Sequence, residues 1–313
     1  MMRCVIVLTV ISLLWASVLA GEAPLKSQPS RVPSGCKAAE GAQAEPYTKS
    51  DWAKAVVHEK TGIEFVFIPA GEFTMGTPSN EVGRTADEGP AHKVRISKPF
   101  YLGKYEVTQE QWTKIMGKNP SGFIGGDHPI YKGHRAYTLP PEVTEATMEK
   151  RPVEQTSWDD CKVFLEKAGG LRLPTEAEWE YACRAGTTGP YNCGDTISID
   201  KVNFNGKPRQ WEKGSFPPGR GSPIPVGVFA PNAWGLYDMH GNIYEYCCDR
   251  YAPDYYSKSP AEDPQGPAEG RLVVIRGGCW GSYAIACRSG KRYYVGPSER
   301  NFGMGLRAAL EAK

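Results

Sequence analysis

Within the stretch Gly235 to Tyr251, GLYDMHGNIYEYCCDRY, residue types and spacing could hold a metal ion. Asp238, Gly241, Ile243 and Glu245 form a D-x-x-G-x-I-x-E series, able to present two carboxylates and intervening backbone carbonyls to one hard cation. Oxygen ligands of this kind suit Ca²⁺. Gly241 permits the sharp bend, or the positive φ, that turns carbonyls inward on both sides. The same residues also read as a tight Asx-type turn between packed segments, because short Asp/Gly/Asn clusters are ordinary turn chemistry.

Thiols supply the second kind of chemistry. The chain has 9 cysteines, and removal of an N-terminal signal takes Cys4 and leaves Cys36, Cys161, Cys183, Cys193, Cys247, Cys248, Cys279 and Cys287. An even set in an oxidising compartment admits some pairing, yet it is too sparse for a disulfide-built scaffold. His58, His92, His128, His134 and His240 show no close metal-ligand spacing. No G-x-S-x-G, P-loop or dinucleotide fingerprint stands in the strand and helix context it needs.

These residues must be positioned by a sizeable body. With 313 residues and 40% hydrophobic content the chain can bury a substantial core. A net charge of +2 without a basic block interleaved with aromatics gives no reason to expect nucleic acid or an anionic membrane as partner. Residues 1–20 read as a secretory signal: Arg3, an apolar run from Val5 to Leu19, and Val18-Leu19-Ala20 before Gly21. The run is interrupted by Thr9, Ser12 and Ser17, so the mature chain is expected to have no membrane span and to be secreted or periplasmic. Residues 21–60 read as a flexible leader and 61–313 as one domain.

Inside that domain Ile63, Phe65 and Phe67 alternate with Glu64, Val66 and Ile68, a strand buried on both faces. Val94 and Ile96 mark a half-exposed strand. Three capping boxes start helices: Thr108 with Gln111, Ser157 with Asp160, and Thr175 with Glu178. These helices should end near Met116, Ala168 and Arg184, with Gly169 and Gly186 past the last two. Asn119 to Lys150 and Thr187 to Pro225 read as long irregular loops.

Several segments resemble the formylglycine-generating enzyme, or sulfatase-modifying factor, family: Phe65 to Gly76 (FVFIPAGEFTMG), Lys104 to Thr108 (KYEVT), Arg172 to Ala182 (RLPTEAEWEYA), Gly235 to Tyr251, and Arg276-Gly277-Gly278. The resemblance runs from about Gly62 to Arg307. It implies an α+β fold related to C-type lectins with little regular secondary structure. It also implies a structural Ca²⁺ at Asp238, Gly241, Ile243 and Glu245, and a further metal site at Asn203 and the Phe204 carbonyl whose acidic ligand falls near Pro218. The family's reaction uses two copper-binding cysteines, and thiolates suit Cu(I). The first falls on Ser282 here; an ungapped count puts Cys287 at the second, while Arg288-Ser289 also matches a shortened segment lacking the pair. Cys279 takes the place of an active-site serine, and Tyr244 that of a tryptophan. Cys279 and Cys287 could themselves form a copper or redox pair, or serve as a structural disulfide or buried free thiols.

Two functions follow from the resemblance. One is an oxidoreductase that uses O₂, and copper if it binds, to modify a cysteine or other side chain of a peptide or protein substrate such as a sulfatase, with Cys279, Cys287 and Ser282 as catalytic candidates. The other is a non-catalytic, calcium-stabilised module whose loops bind a protein or glycan ligand.

Overall fold

The computed structural model describes residues 29–124, 145–207 and 219–313. In chain order the strands and helices are β1 (Cys36–Ala38), β2 (Ala55–His58), β3 (Glu64–Ile68), β4 (Gly71–Met75), β5 (His92–Ile96), β6 (Phe100–Gly103), α1 (Gln109–Met116), α2 (Trp158–Ala168), β7 (Leu171–Arg172) and α3 (Glu176–Arg184). Then come β8 (Tyr244–Arg250), β9 (Val273–Arg276), β10 (Tyr293–Val295), β11 (Met304–Gly305) and β12 (Ala309–Glu311). They build a sheet ordered β1-β2-β3-β6-β12-β7, a second ordered β10-β9-β8-β11, and the pair β4-β5. This is the α+β, C-type-lectin-like architecture with short elements.

Alternation along β3 explains why it is buried on both faces. Phe65 and Phe67 enter a core with Trp52, Tyr101, Phe164 and Tyr246, whereas Val66 and Ile68 enter another with Leu102, Trp179 and Val274. Successive side chains of a strand point to opposite faces, so one short strand serves both cores. Strand β9 divides the same way, with Val273 and Ile275 in the first core and Val274 in the second.

All three capping boxes form, with Thr108, Ser157 and Thr175 accepting from the N–H groups of Gln111, Asp160 and Glu178. The third helix closes on Ala185 in the left-handed conformation, one residue before the glycine expected to follow it. The leader reading requires correction. Strands β1 and β2 lie within residues 21–60 and continue the large sheet, β1 pairing with β2 and β2 with β3. Their short spans hide from a periodicity count, but Trp52, Ala53 and Val56 are buried, and that burial orders the segment. The expected signal at 1–20 lies outside the described residues. Among the described residues no helix is long and apolar enough to cross a membrane.

Helix α3 anchors the strands that carry the site. Glu176 and Glu180 on this helix are both buried, and their main partners are arginines. Arg276 on β9 reaches Glu176 at 3.0 Å and Glu180 at 2.6 Å, Arg292 reaches Glu176 at 2.8 Å, and Arg184 reaches Glu180 at 2.9 Å. Asp249 on β8 accepts from the Glu176 N–H at 2.8 Å. Burial, and then repulsion from Glu176, lifts the Asp249 carboxyl to about 7.

An unfolded Asp titrates at about 4, so between there and about 7 the folded chain holds the extra proton, and stability falls as pH rises through that window. Asp249→Asn keeps an oxygen for the Glu176 N–H. It should flatten this decline, whose slope for one proton reaches roughly 1.4 kcal/mol per pH unit, as urea midpoints at about pH 5 and about pH 7 will show.

Candidate functional site

The turn expected to bind calcium is real, but its carboxylates have other partners. Asp238, Gly241 and Asn242 all adopt positive φ, at 56°, 79° and 58°. The Gly241 N–H donates to the Gly277 carbonyl at 2.8 Å and the Asn242 N–H to the Asn203 carbonyl at 2.8 Å. Asp238 accepts from the Gly227 N–H at 2.7 Å, and burial raises its carboxyl to about 6. Glu245 is held by Arg307, whose Nε lies 3.0 and 2.9 Å from its two oxygens and whose Nη2 lies 2.6 Å from Oε1. The Trp179 indole N–H donates to Oε2 at 2.7 Å. Both Glu245 oxygens are therefore engaged, so the set Asp238, Gly241, Ile243 and Glu245 does not fit Ca²⁺ as it stands. Among the described residues no group of three or more His, Cys, Asp or Glu side chains is arranged to hold a metal ion.

Glu106 joins this cluster without having been assigned a role from sequence. It accepts from Asn242 Nδ2 at 2.8 Å and from the Ile243 N–H at 3.2 Å. Burial and the nearby Asp238 and Glu245 carboxylates push its carboxyl well up. Its one signal in the sequence was an acidic residue between Tyr105 and Val107 in the KYEVT segment.

At the second expected metal site, Asn203 is buried and its Nδ2 donates to the Ser222 carbonyl and to Asn242 Oδ1, each at 3.0 Å. Its Oδ1 and the Ser222 hydroxyl are buried without a hydrogen-bond partner among the described residues. The Phe204 carbonyl packs against Gly219. Pro218, beside the expected acidic ligand, lies outside the described residues.

Cys279, Ser282 and Tyr244 come together. Residues 279–282 form a tight turn closed by the Ser282 N–H on the Cys279 carbonyl at 2.8 Å. Ser282 Oγ accepts from the Cys279 N–H at 3.0 Å and lies 3.4 Å from Cys279 Sγ and 3.1 Å from the Tyr244 hydroxyl. Trp280 fixes the turn, its backbone N–H donating to the Asn242 carbonyl at 2.9 Å and its indole to the Phe302 carbonyl at 3.0 Å. Gly303 makes room for the sulfur, since a Cβ there would lie 2.9 Å from Cys279 Sγ.

Cys287 sits behind this turn. It is fully buried, its thiol donates to the Tyr283 carbonyl at 3.7 Å, and a Cβ on Gly278 would stand 2.6 Å from its sulfur. Burial raises both thiols, Cys287 well above the ordinary cysteine range with Cys279 adding to it. Thiols kept protonated in this way are poor nucleophiles and poor metal ligands. His240 backs the same corner, Nδ1 donating to the Cys287 carbonyl at 2.7 Å and Nε2 accepting from the Asn192 N–H at 3.0 Å. Burial lowers it to about 4, so it is neutral. His128 and His134 lie outside the described residues.

All eight cysteines from Cys36 onward are free thiols. Iodoacetamide at neutral pH should label exposed Cys193 first and partly buried Cys279 more slowly. Cys161, Cys183, Cys247 and Cys287, all buried, should react only after unfolding; peptide mapping of the labelled protein checks this order.

The adjacent Tyr293 and Tyr294, which as a sequence pair read either as cleft lining or as packing, form an approach to the turn. Tyr293 and Tyr294 are 47% and 45% exposed, on strand β10 at the edge of its sheet. The Tyr294 ring stacks on Tyr251 at 4.1 Å, and Tyr293 lies 5.4 Å from Tyr244. Tyr251, Tyr293 and Tyr294 line a cavity of about 590 Å³ together with Asp87 and Lys291. A series of tyrosine rings thus runs from open cavity to Cys279.

Comparison with known proteins places this geometry. The family model described as a sulfatase-modifying factor enzyme 1-like domain matches residues 49–312. The formylglycine-generating enzyme of Streptomyces coelicolor is 32% identical, over 79% of this chain and 89% of that protein. Among solved structures, PvdO from Pseudomonas aeruginosa is similar with a TM-score of 0.62 and 34% identity, covering 80% of this chain and 95% of that one. A protein named serine/threonine-protein kinase pkn1, from Chlamydia pneumoniae, is 34% identical, but the chain spans only 38% of its length.

Proposed function

The chain belongs to the sulfatase-modifying factor family, and on that premise we propose that it is an exported recognition protein that binds a peptide or protein segment and does not oxidise it. The observation that carries this reading is Ser282, whose hydroxyl lies 3.4 Å from Cys279 Sγ at the position where the resemblance implies the first copper-binding cysteine. One partly buried thiol remains at the turn, and the other cysteine of the segment is fully buried behind it. The residues present do not fit the two-thiolate copper centre that the family resemblance implies.

What persists is a surface suited to binding. Tyrosine side chains supply large, rigid, amphipathic area at low entropic cost, and aromatic residues are enriched among those that dominate binding energy. Here they line an open cavity beside an edge strand, and such edges accept extended peptides.

A Cys-x-Pro-x-Arg peptide tests the reading when incubated with the purified protein, copper and O₂. Mass spectrometry should find the peptide unchanged, and fluorescence anisotropy should detect its binding, weakened about tenfold by Tyr293→Ala or Tyr294→Ala. Conversion of the peptide to the aldehyde would replace recognition with oxidation. Unaltered affinity in both tyrosine variants would remove the cavity from the site.

A further inference from the structure

The disagreement between the expected calcium site and the observed partners of Glu245 has a structural meaning of its own. We infer that Arg307 is a built-in cation: its guanidinium does at this turn what a bound calcium ion would do, tying the two sheets together through oxygen atoms without the ion.

The contacts of Arg307 carry the inference. It lies between β11 and β12 and is fully buried. Nη1 donates to the Gly103 carbonyl at 2.9 Å at the end of β6, and Nη2 to the Tyr237 carbonyl at 2.8 Å. Nε and Nη2 hold both oxygens of Glu245 on β8. Strand β6 belongs to the six-stranded sheet and β8 to the four-stranded one, so this single side chain bridges the sheets. Glu106 and Asp238, both carboxyl groups raised by burial, lie within electrostatic reach of the guanidinium.

Two carbonyls and a carboxylate, with two further carboxyl groups close by, form the kind of oxygen environment a hard cation seeks. A guanidinium satisfies it with fixed, directional N–H groups and a permanent charge. Because Arg307 occupies both Glu245 oxygens, an ion could enter only by displacing it.

Terbium(III), a calcium stand-in whose emission is sensitised by a nearby indole, reads the site directly because Trp179 is bonded to Glu245. The full chain and its Glu245→Gln variant should give the same indole-sensitised emission. Arg307→Ala should gain emission that the Arg307→Ala, Glu245→Gln double variant loses, and calcium should raise the melting temperature of Arg307→Ala but not of the unsubstituted protein. Should Arg307→Ala fail to fold, the comparison of unsubstituted protein with Glu245→Gln stands alone. Emission from the unsubstituted protein that Glu245→Gln abolishes would overturn the inference, as would a melting temperature that falls several degrees in chelator and returns with calcium.

Discussion

Replacing Glu176 with alanine should lower the unfolding free energy by about 3–5 kcal/mol, the range for breaking a buried ion pair from one side. Glu176 accepts from Arg276 and Arg292, each fully buried, so the substitution strands two guanidinium groups away from water. Arg276 retains Glu180 and the Ser289 carbonyl at 2.7 Å, whereas Arg292 keeps the backbone carbonyls of Asp87 and Ala252 and the ring faces of Tyr251 and Tyr256 but no ion pair among the described residues. The loss should therefore fall mainly on Arg292.

Exposed pairs provide the control. Arg95 and Glu262 are 59% and 58% exposed, and Lys258 and Asp254 are 59% and 64% exposed. Pairs of this kind contribute about 0–1 kcal/mol. Urea unfolding of Glu176→Ala beside Glu262→Ala separates the cases, and equal midpoints would contradict the buried network.

That network also shows which features a sequence can reveal. The three capping boxes were legible because each joins residues three apart, and β3 was legible because its burial repeats every second residue. Glu245 and Arg307 are separated by 62 positions, Glu176 and Arg276 by 100, and Glu106 and Asn242 by 136. No local spacing records such pairs.

The candidate site divides along the same line. Cys279 and Ser282 lie in one short turn, so their proximity follows from the chain itself. The Tyr251 and Tyr294 stack joins β9's two neighbours, β8 and β10, at their ends and appears only once the sheet is assembled. Strands β1 and β2 stayed hidden for a related reason: three- and four-residue strands are too short to show a period, and their partners set their register.

Gly241→Ala should destabilise the chain by about 3 kcal/mol, clearly more than Gly117→Ala. Both glycines have positive φ, 79° and 76°, so each substitution carries the roughly 1–2 kcal/mol that an L side chain costs in that region. Their surroundings differ. A Cβ on Gly117 would meet nothing within 4 Å, whereas one on Gly241 would press on the Asn203 carbonyl oxygen and stand 2.9 Å from Val202 Cγ1. The Asn203 carbonyl cannot retreat freely, because it accepts from the Asn242 N–H at 2.8 Å. Moving it would disturb the Asn203 side chain and, through the Asn205 N–H on the Ser282 carbonyl at 2.8 Å, the turn that carries Cys279. Gly241 thus admits a neighbouring backbone where the sequence suggested it turned carbonyls toward an ion. If urea midpoints fall equally in the two variants, the close approach of residues 203 and 241 is absent in solution, and the Cys279 turn has lost one of its supports.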